Sequence, residues 1–263
     1  MPGPLEGYRI IDVCRAGPGR MATGILADYG ADVVSIVEPG YAQRSAPGTG
    51  AARASDLMNQ RNKRSLFLNF RAEGAREVFL SLAKRSDAVL ESNRPGVVKR
   101  LGVDYETVRE TNPAIVYCSL SGFGQFGPYS GIAAHDIAFQ SVAGMLPLDE
   151  EEKPMIPTYS QADSNAAYFG AIALIMGLLN RSDKGVGQYI DVAFSDVSLT
   201  LPPGGRERDE MLLGKYPGFN TYETKDGRYV SLSIREPWFW DRVCRLLGHE
   251  EWSADMRPQG ELR

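Results

Sequence analysis

The chain has 263 residues, of which 43% are hydrophobic and 24% are charged, and its formal net charge is −4. A chain of this length can bury the core of one large domain or two smaller ones, and its composition argues against wholesale disorder. The negative charge argues against nucleic acid as a partner, although a few clustered cations are enough to bind an anionic ligand.

Strands alternate with helices along the first 120 residues. We predict strands at Arg9–Val13, 31–37, 65–69, Ala88–Glu91 and 114–120, and helices at 19–29, 72–85 and Tyr105–Thr111. Gly30 fits the position that ends the first of these helices. Because strands that alternate with helices imply a parallel sheet with crossover helices, we expect an α/β fold.

The first unit invites comparison with dinucleotide-binding proteins, because Glu38 ends the second strand as a ribose-binding acid would. The loop before the first helix argues against that comparison. It lacks the G-x-G-x-x-G pattern, and Pro18 removes a backbone N–H that a pyrophosphate cradle would use. The chain has no G-x-x-x-x-G-K-[ST] or G-x-S-x-G segment either, so P-loop and α/β-hydrolase chemistry are disfavoured.

Beyond residue 120 the pattern changes. A glycine-rich loop at 121–129 either brings backbone close to a ligand or forms a plain surface turn. We predict helices from about His135 to Met145, from Asp163 onward and at 238–247, a strand at Gln188–Ala193, and a hairpin at 220–234 turned at Asp226-Gly227. A proline- and glycine-rich segment separates these elements, so we predict a large domain at 1–200, a linker at 201–219 and a smaller α/β domain at 220–263.

Cysteine usage and hydropathy indicate the compartment. Cys14, Cys118 and Cys244 are far apart and form no C-x-x-C pair, which indicates a reducing compartment and no metal site. The N-terminal segment lacks the basic and apolar regions of a secretory signal. The longest apolar run, 166–179, is shorter than the roughly 20 residues of a membrane span. We therefore expect a soluble, cytoplasmic protein that does not enter a membrane.

Asp163 lies where a polar loop gives way to that apolar run. The unpaired N–H groups at the head of a helix favour the ionised form of a carboxyl group, which suits a base or a nucleophile. Aspartate is also a common helix N-cap, so a purely structural role is the alternative.

Short segments spread over nearly the whole chain have the residue types and the order of one enzyme family. They are Ile10-Ile-Asp-Val, Leu26-Ala-Asp-Tyr-Gly-Ala-Asp-Val-Val, Asn62-Lys-Arg-Ser-Leu, Glu91-Ser-Asn-Arg-Pro-Gly-Val-Val-Lys-Arg-Leu-Gly, Gly122-Phe-Gly-Gln-Phe-Gly-Pro, His135-Asp136, Asp163 and Gly185-Val-Gly-Gln-Tyr-Ile-Asp-Val. The chain thereby resembles the family III CoA-transferase superfamily of CaiB/BaiF type. His135-Asp136 and the segment around Glu236 make the α-methylacyl-CoA racemase branch the most similar.

The resemblance implies a fold, a substrate and an assembly. It implies a large domain with a Rossmann-like parallel sheet, a smaller α/β domain, and a homodimer whose chains interlock. The substrate is an acyl-CoA thioester, and no metal or redox cofactor takes part. Family members are considerably longer, so we expect a chain truncated at its C-terminus, a fragment, or a subunit completed by a second chain.

The resemblance also implies roles for three residues. In the family's transferases, the aspartate that matches Asp163 attacks the thioester, and CoA moves to a new carboxylate through an aspartyl-CoA intermediate. In the racemases it is an acid and base on one side of the α-carbon, with a histidine, here His135, on the other side. A glutamate, here Glu236, pairs with that histidine.

These roles favour a racemase or epimerase that inverts the α-carbon of a 2-methylacyl-CoA. Family III CoA transfer between carboxylic acids is the alternative. A non-catalytic subunit that binds acyl-CoA or a partner is a second alternative, since the chain is short for the family.

Five residues are candidates for binding CoA. Asn93 and Arg94 follow a strand in the edge position where α/β sheets bind ligands, and Arg61 and Lys63 belong to a basic run that would meet phosphates. Arg100 is a weaker candidate. Each of these side chains could instead be a solvated loop group.

Overall fold

The computed structural model describes residues 2–15, 17–39, 58–149, 151–200 and 216–254. Its packing divides the chain into two units, Met1–Pro203 and Gly204–Arg263. The division lies within the predicted linker 201–219, most of which is outside the described residues. The predicted boundaries at 200 and 220 stay predictions.

Six parallel strands form the sheet of the first unit. They are β1 (Arg9–Val13), β2 (Asp32–Val37), β3 (Arg64–Phe67), β4 (Ala88–Glu91), β5 (Val116–Ser121) and β6 (Gln188–Ala193), and their order in space is β3, β2, β1, β4, β5, β6. Ile10 of β1 pairs with Val33 of β2 on one side and with Ala88 of β4 on the other. The sheet is therefore built outward in both directions from β1 and β4. Open α/β sheets bind ligands at this point, outside the carboxyl ends of the strands.

Helices cover both faces of this sheet, as the α/β prediction requires. Within the described residues of the first unit they are α1 (Gly17–Asp28), α2 (Ala75–Ala83), α3 (Val97–Leu101), α4 (Tyr105–Thr111), α5 (Asp136–Val142), α6 (Gln161–Lys184) and α7 (Phe194–Thr200). Neighbouring residues of a strand point to opposite faces. Ile10 is accordingly in one apolar cluster with Leu26 of α1, whereas Ile11 is in the other with Phe79 of α2.

The end of α1 directs the chain back into the sheet. Gly30 has a φ of 97°, its N–H donates to Ala27 O at 3.0 Å, and Ala31 N–H donates to Leu26 O at 3.1 Å. This pair of bonds is the Schellman motif, which favours a residue without a Cβ at the left-handed position. The predicted helix end at Gly30 is confirmed.

Helix α6 is the long helix of the first unit. It begins at Gln161, two residues before the predicted start, and its 24 residues are long and apolar enough to cross a membrane by length and composition alone. Half of its most apolar window is buried inside the unit. Small residues allow this close packing: a Cβ added at Gly177 would lie 2.5 Å from Val116 Cγ1 of β5. In the described structure α6 is thus a core helix.

The second unit contains a hairpin and a helix. Its described elements are β7 (Thr221–Glu223), β8 (Tyr229–Ser231), α8 (Pro237–Leu247) and a 3₁₀ turn at Glu250–Ala254. The two strands are antiparallel, and Gly227 N–H donates to Thr224 O at 2.8 Å in the turn between them. Trp240 of α8 is buried, and its Nε1 donates to Trp252 O at 2.9 Å. The predicted hairpin and helix are confirmed.

Candidate active site

Asp163 is the third residue of α6 and is partly buried. The N-cap of the helix is Ser160, so the alternative that Asp163 caps its own helix is wrong. Instead, the N–H of Asp163 donates to Oδ1 of Asp136 at 3.0 Å. One of the unpaired N–H groups at the start of α6 is thereby satisfied by a carboxylate from α5.

A buried amide extends this connection between the two helices. Gln140 is 1% exposed, and its Nε2 donates to Asp136 Oδ2 at 2.5 Å and to Tyr159 O at 3.2 Å. Asp136 and Gln140 are four residues apart on α5, whereas Tyr159 immediately precedes the N-cap of α6. The starts of the two helices are therefore fixed against each other.

His135 is the N-cap of α5 and is exposed. Its side chain makes no capping hydrogen bond, and it directly precedes Asp136 in the chain. The structure thus brings the two predicted bases, His135 and Asp163, to adjoining helix starts.

The surroundings of Asp163 change its acidity. Burial raises the pKa of Asp163, the negative charge of Asp136 raises it further, the charge of His135 acts in the opposite direction, and the result is about 6. A carboxyl group with such a pKa is mostly ionised at neutral pH and is still readily protonated. This is the property that general acid–base catalysis requires.

The glycine-rich loop packs against α5. The rings of Phe123 and Phe139 meet edge to face at 5.2 Å, and a Cβ added at Gly122 would lie 2.9 Å from the Phe139 ring. Gly124 has a φ of 81°, and Gln125 N–H donates to Asp191 Oδ2 at 2.8 Å. The loop is therefore held by specific contacts at the carboxyl end of β5 and is not a plain surface turn.

A cavity of about 240 Å³ opens at the predicted edge of the sheet. Its wall includes residues that end or follow the first four strands, among them Val13, Ile36, Leu68 and Asn93. Its charged residues are Glu38 and four arginines, Arg15, Arg20, Arg71 and Arg100. Arg15 forms an ion pair with Glu38, and Arg20 Nε donates to Cys14 O at 3.1 Å. Arginine binds phosphate oxygens through paired, charge-assisted hydrogen bonds, so this cavity suits a ligand with phosphate groups.

The predicted CoA-binding residues divide into two groups. Asn93 and Arg100 line the cavity, whereas Arg94 is exposed and is not part of its wall. Arg61 Nε donates to both carboxylate oxygens of Asp28 at 3.0 Å. The side chain of Lys63 is fully buried, and its Nζ lies 3.0 Å from Asp12 Oδ2.

Arg64 Nη2 also lies 2.6 Å from Asp32 Oδ2, so all three cations of the basic run 61–64 have carboxylate partners. Lys63 Nζ also donates to Arg20 O and Thr23 Oγ1, both at 2.7 Å. Its ammonium group would have to leave three partners to meet a phosphate, so its position is that of a structural residue.

Glu236 belongs to the second unit. It is the N-cap of α8 and makes no capping hydrogen bond with its side chain, and Pro237 follows at the first helical position. Its pairing with His135 stays a prediction.

Several site residues were not predicted from the sequence. Arg15 follows β1 and Arg71 follows β3 within a few residues, so the rule that ligands bind at the carboxyl ends of parallel strands would have identified both. Gln140 was detectable only as the residue one helical turn after Asp136, because its role depends on the packing of α5 against α6. Within the described residues, no group of three or more His, Cys, Asp or Glu side chains is placed to hold a metal ion.

Residues 5–261 match the sequence profile of CoA-transferase family III. The chain is 31% identical to the α-methylacyl-CoA racemase of Homo sapiens, over 93% of this chain and 65% of that protein. It is 29% identical to a probable fatty acyl-CoA transferase of Mycobacterium tuberculosis, over 97% of this chain and 71% of that protein. A succinate–glutarate CoA-transferase of Agrobacterium fabrum is 29% identical over 93% of this chain and 66% of its own length. The chain thus spans roughly two thirds of the length of these curated relatives.

Solved structures agree with the sequence comparison. A CaiB/BaiF family protein from Brucella suis has a TM-score of 0.81 at 26% identity, covering 97% of this chain and 72% of that one. The Mycobacterium tuberculosis protein has a TM-score of 0.80 at 30% identity, covering 98% of this chain and 73% of that one. Because the family profile spans residues 5–261 and solved structures of the family share the fold over 97% of the chain, the chain belongs to CoA-transferase family III.

Proposed function

We propose that this protein is an acyl-CoA racemase or epimerase that inverts the α-carbon of a 2-methylacyl-CoA thioester. One observation supports the proposal most strongly. His135 and Asp163 lie at the starts of two helices, α5 and α6, and a hydrogen bond from Asp163 N–H to Asp136 joins these starts. The 31% identity with a racemase over 93% of this chain is consistent with it.

Inversion at an α-carbon requires two proton carriers. One base removes the α-proton from one face, the electron pair moves into the thioester carbonyl to give an enolate, and an acid returns a proton to the opposite face. His135 and Asp163 serve as this pair, and each regains its starting protonation state after a turnover in the reverse direction. With its pKa raised to about 6, Asp163 can take either role near neutral pH.

The remaining parts of the proposal concern binding and assembly. The phosphates of CoA lie against the arginines of the cavity, and Asn93 and Arg100 contribute to its wall. Proton transfer moves no electrons between substrate and enzyme, so the proposed reaction needs no redox cofactor and the CoA thioester is itself the substrate. Glu236 pairs with His135, and the chain forms an interlocked homodimer or is completed by a second chain, in the cytoplasm.

CoA transfer is the second candidate, because relatives that are 29% identical carry transferase names. In this reaction Asp163 attacks the thioester carbonyl and expels the CoA thiolate, which leaves a mixed anhydride. The thiolate then attacks the Asp163 acyl carbon, which gives aspartyl-CoA and frees the first acid. The acceptor carboxylate attacks aspartyl-CoA and expels the CoA thiolate, which gives a second anhydride. The thiolate then attacks the acyl carbon of the acceptor, which forms the new acyl-CoA and frees the Asp163 carboxylate.

Hydrogen exchange in deuterated water separates the candidates. A racemase exchanges the α-hydrogen of 2-methylacyl-CoA, Asp163→Asn abolishes turnover, and His135→Ala stops racemisation while exchange from the Asp163 face continues. A transferase needs an acceptor acid and accumulates a hydroxylamine-sensitive thioester on Asp163. Absence of exchange with several acyl-CoA substrates would contradict the racemase proposal. Calorimetric binding of acyl-CoA with neither reaction would instead indicate a non-catalytic binding subunit.

A further inference from the structure

A buried carboxylate next to the cavity holds one of the residues in its wall. Glu91 is the last residue of β4 and is 1% exposed. Its Oε2 accepts a hydrogen bond from the N–H of Asn93 at 2.7 Å and another from Asn93 Nδ2 at 3.1 Å. Burial of a carboxyl group is costly unless hydrogen bonds replace water, and both of these bonds come from a residue that lines the cavity.

These contacts fix the direction in which the Asn93 amide points. Nδ2 faces Glu91 Oε2 and lies 3.4 Å from Val13 O, so both of its neighbours are acceptors. Rotating the amide by half a turn would place Oδ1 against the same two oxygens and would lose both bonds. Oδ1 therefore points away from Glu91, and no donor from the described residues contacts it.

We infer that Glu91 is a positioning residue, which makes Asn93 present a hydrogen-bond acceptor to the cavity for a neutral N–H or O–H group of the ligand. The wall then has two complementary parts, since its arginines suit phosphate and Asn93 suits a donor. Coenzyme A carries both kinds of group, because it has amide, amino and hydroxyl donors besides its phosphates. This inference rests on the proposed acyl-CoA substrate and is independent of which reaction follows.

A double-mutant cycle on CoA binding, measured by isothermal titration calorimetry, tests the inference. Asn93→Ala removes the acceptor, and we expect the Kd to rise about tenfold. Glu91→Met releases the amide and is expected to have a similar effect. Since Glu91 acts through Asn93, the double variant should bind no more weakly than Asn93→Ala alone. Wild-type affinity in Glu91→Met, or losses that multiply in the double variant, would overturn the inference.

Asn112 provides a matched control at the opposite edge of the sheet. Its Nδ2 donates to Ala83 O at 2.9 Å and to Ser86 O at 2.8 Å, before the amino ends of β4 and β5. Asn112→Ala should lower the melting temperature and leave the Kd for CoA within about twofold of wild type. If this variant loses as much affinity as Glu91→Met, general destabilisation explains both results and the inference is wrong.

A second pair of variants decides the matter if Glu91→Met does not fold. Asn93→Asp places two carboxylates together and should weaken CoA binding, whereas adding Glu91→Gln restores a donor between the two side chains and should recover most of the loss. Absence of recovery contradicts the inference. A wild-type chain that binds no CoA contradicts both this inference and the proposed substrate class. A wild-type chain that binds CoA without exchanging the α-hydrogen contradicts the racemase proposal alone, and the cycle still decides the role of Glu91.

Discussion

Asp136 acts on Asp163 in two ways. Its Oδ1 accepts the N–H of Asp163 and so fixes the backbone that carries the Asp163 carboxyl group, while its charge raises the pKa of that group. The hydrogen bond holds the backbone of Asp163 in position, and the charge keeps the carboxyl group of Asp163 able to gain and lose a proton near neutral pH. A single side chain therefore influences both the position and the acidity of the proposed acid and base.

The pKa of Asp163 makes the free energy of unfolding depend on pH. It is raised from the ordinary value of 3.8 to about 6 in the folded chain, so the folded chain binds more protons than the unfolded chain between these values. The contribution of Asp163 to the unfolding free energy should therefore rise as the pH falls from about 8 to about 5. Asp163→Asn removes this contribution, so we expect the variant to be more stable relative to wild type at pH 8 than at pH 5.

Urea denaturation at the two pH values measures this difference, and Asp28→Asn is the control. The hydrogen bond from Arg61 and the charge of that side chain lower the pKa of Asp28, so Asp28 is ionised in both states throughout the range tested. Its replacement should change the stability by the same amount at both pH values. An Asp163→Asn effect that is equally independent of pH would contradict the raised pKa.

The sequence predicts the bounds of those strands and helices that have both an apolar period and residues that mark their ends. The bounds of β1, β4, β6 and α4 agree with the prediction, because each combines a periodic apolar pattern with clear end signals. The pattern predicts neither α3, which has only five residues, nor α7, which begins directly after β6 with no loop or capping residue between them. Helix α4 is as short as α7, but its N-cap Asp104 marks its start. Helix α6 begins two residues before the predicted start, because the prediction follows the change from a polar to an apolar pattern at Asp163 and the N-cap is Ser160.

The sequence predicts individual residues of the candidate site, but it does not predict the contacts between them. The family resemblance identified Asp163 and His135, but the bond from Asp163 N–H to Asp136 joins residues 27 positions apart and depends on how α5 packs on α6. The charge of the basic run at 61–64 predicts contacts with the phosphates of CoA. The structure pairs Arg61 with Asp28 and Lys63 with Asp12, and a charge pattern does not reveal such partners.

Two glycines of α6 test how closely this helix packs on the sheet. A Cβ at Gly177 would lie 2.5 Å from Val116 Cγ1, whereas a Cβ at Gly170 would be no closer than 3.7 Å to Ala22 or Leu120. We expect Gly177→Ala to lower the free energy of unfolding by about 1–3 kcal/mol through overpacking. Gly170→Ala should be neutral or stabilise by up to about 1 kcal/mol, because alanine favours helix. Urea denaturation of both variants checks this, and equal effects would contradict the described packing.

At the scale of the whole molecule, one buried ion pair joins elements that are distant in sequence. Asp12 lies on β1, and Lys63 precedes β3. Asp12 also accepts from Cys14 N–H at 2.9 Å and from Thr23 Oγ1 at 2.8 Å, so the turn that leads from β1 into α1 depends on the same carboxylate. Cys14 is part of the cavity wall, which links the stability of the first unit to the shape of its binding site.

Removing one partner of this pair should be far more harmful than removing a partner of an exposed pair. Lys63→Met leaves the Asp12 charge buried, and we expect a loss of about 3–5 kcal/mol. Arg61→Met breaks a pair whose side chains are about one-third exposed, and the expected loss is below about 1 kcal/mol. Urea denaturation of the two variants measures the difference. A loss for Lys63→Met as small as that for Arg61→Met would show that Lys63 is not held as described and would favour its predicted role in CoA binding.

Because α6 is long and packs closely on the sheet, a small rotation at one end of the helix would become a large displacement at the other end. Gly177 rests on β5, and Asp163 lies near the other end, about 21 Å away at a rise of about 1.5 Å per residue. A tilt of only about 3° around Gly177 would move the Asp163 end by about 1 Å, a displacement that can cost about 100-fold in rate. Substitutions deep in the core, far from any substrate, should therefore impair turnover well before they unfold the protein.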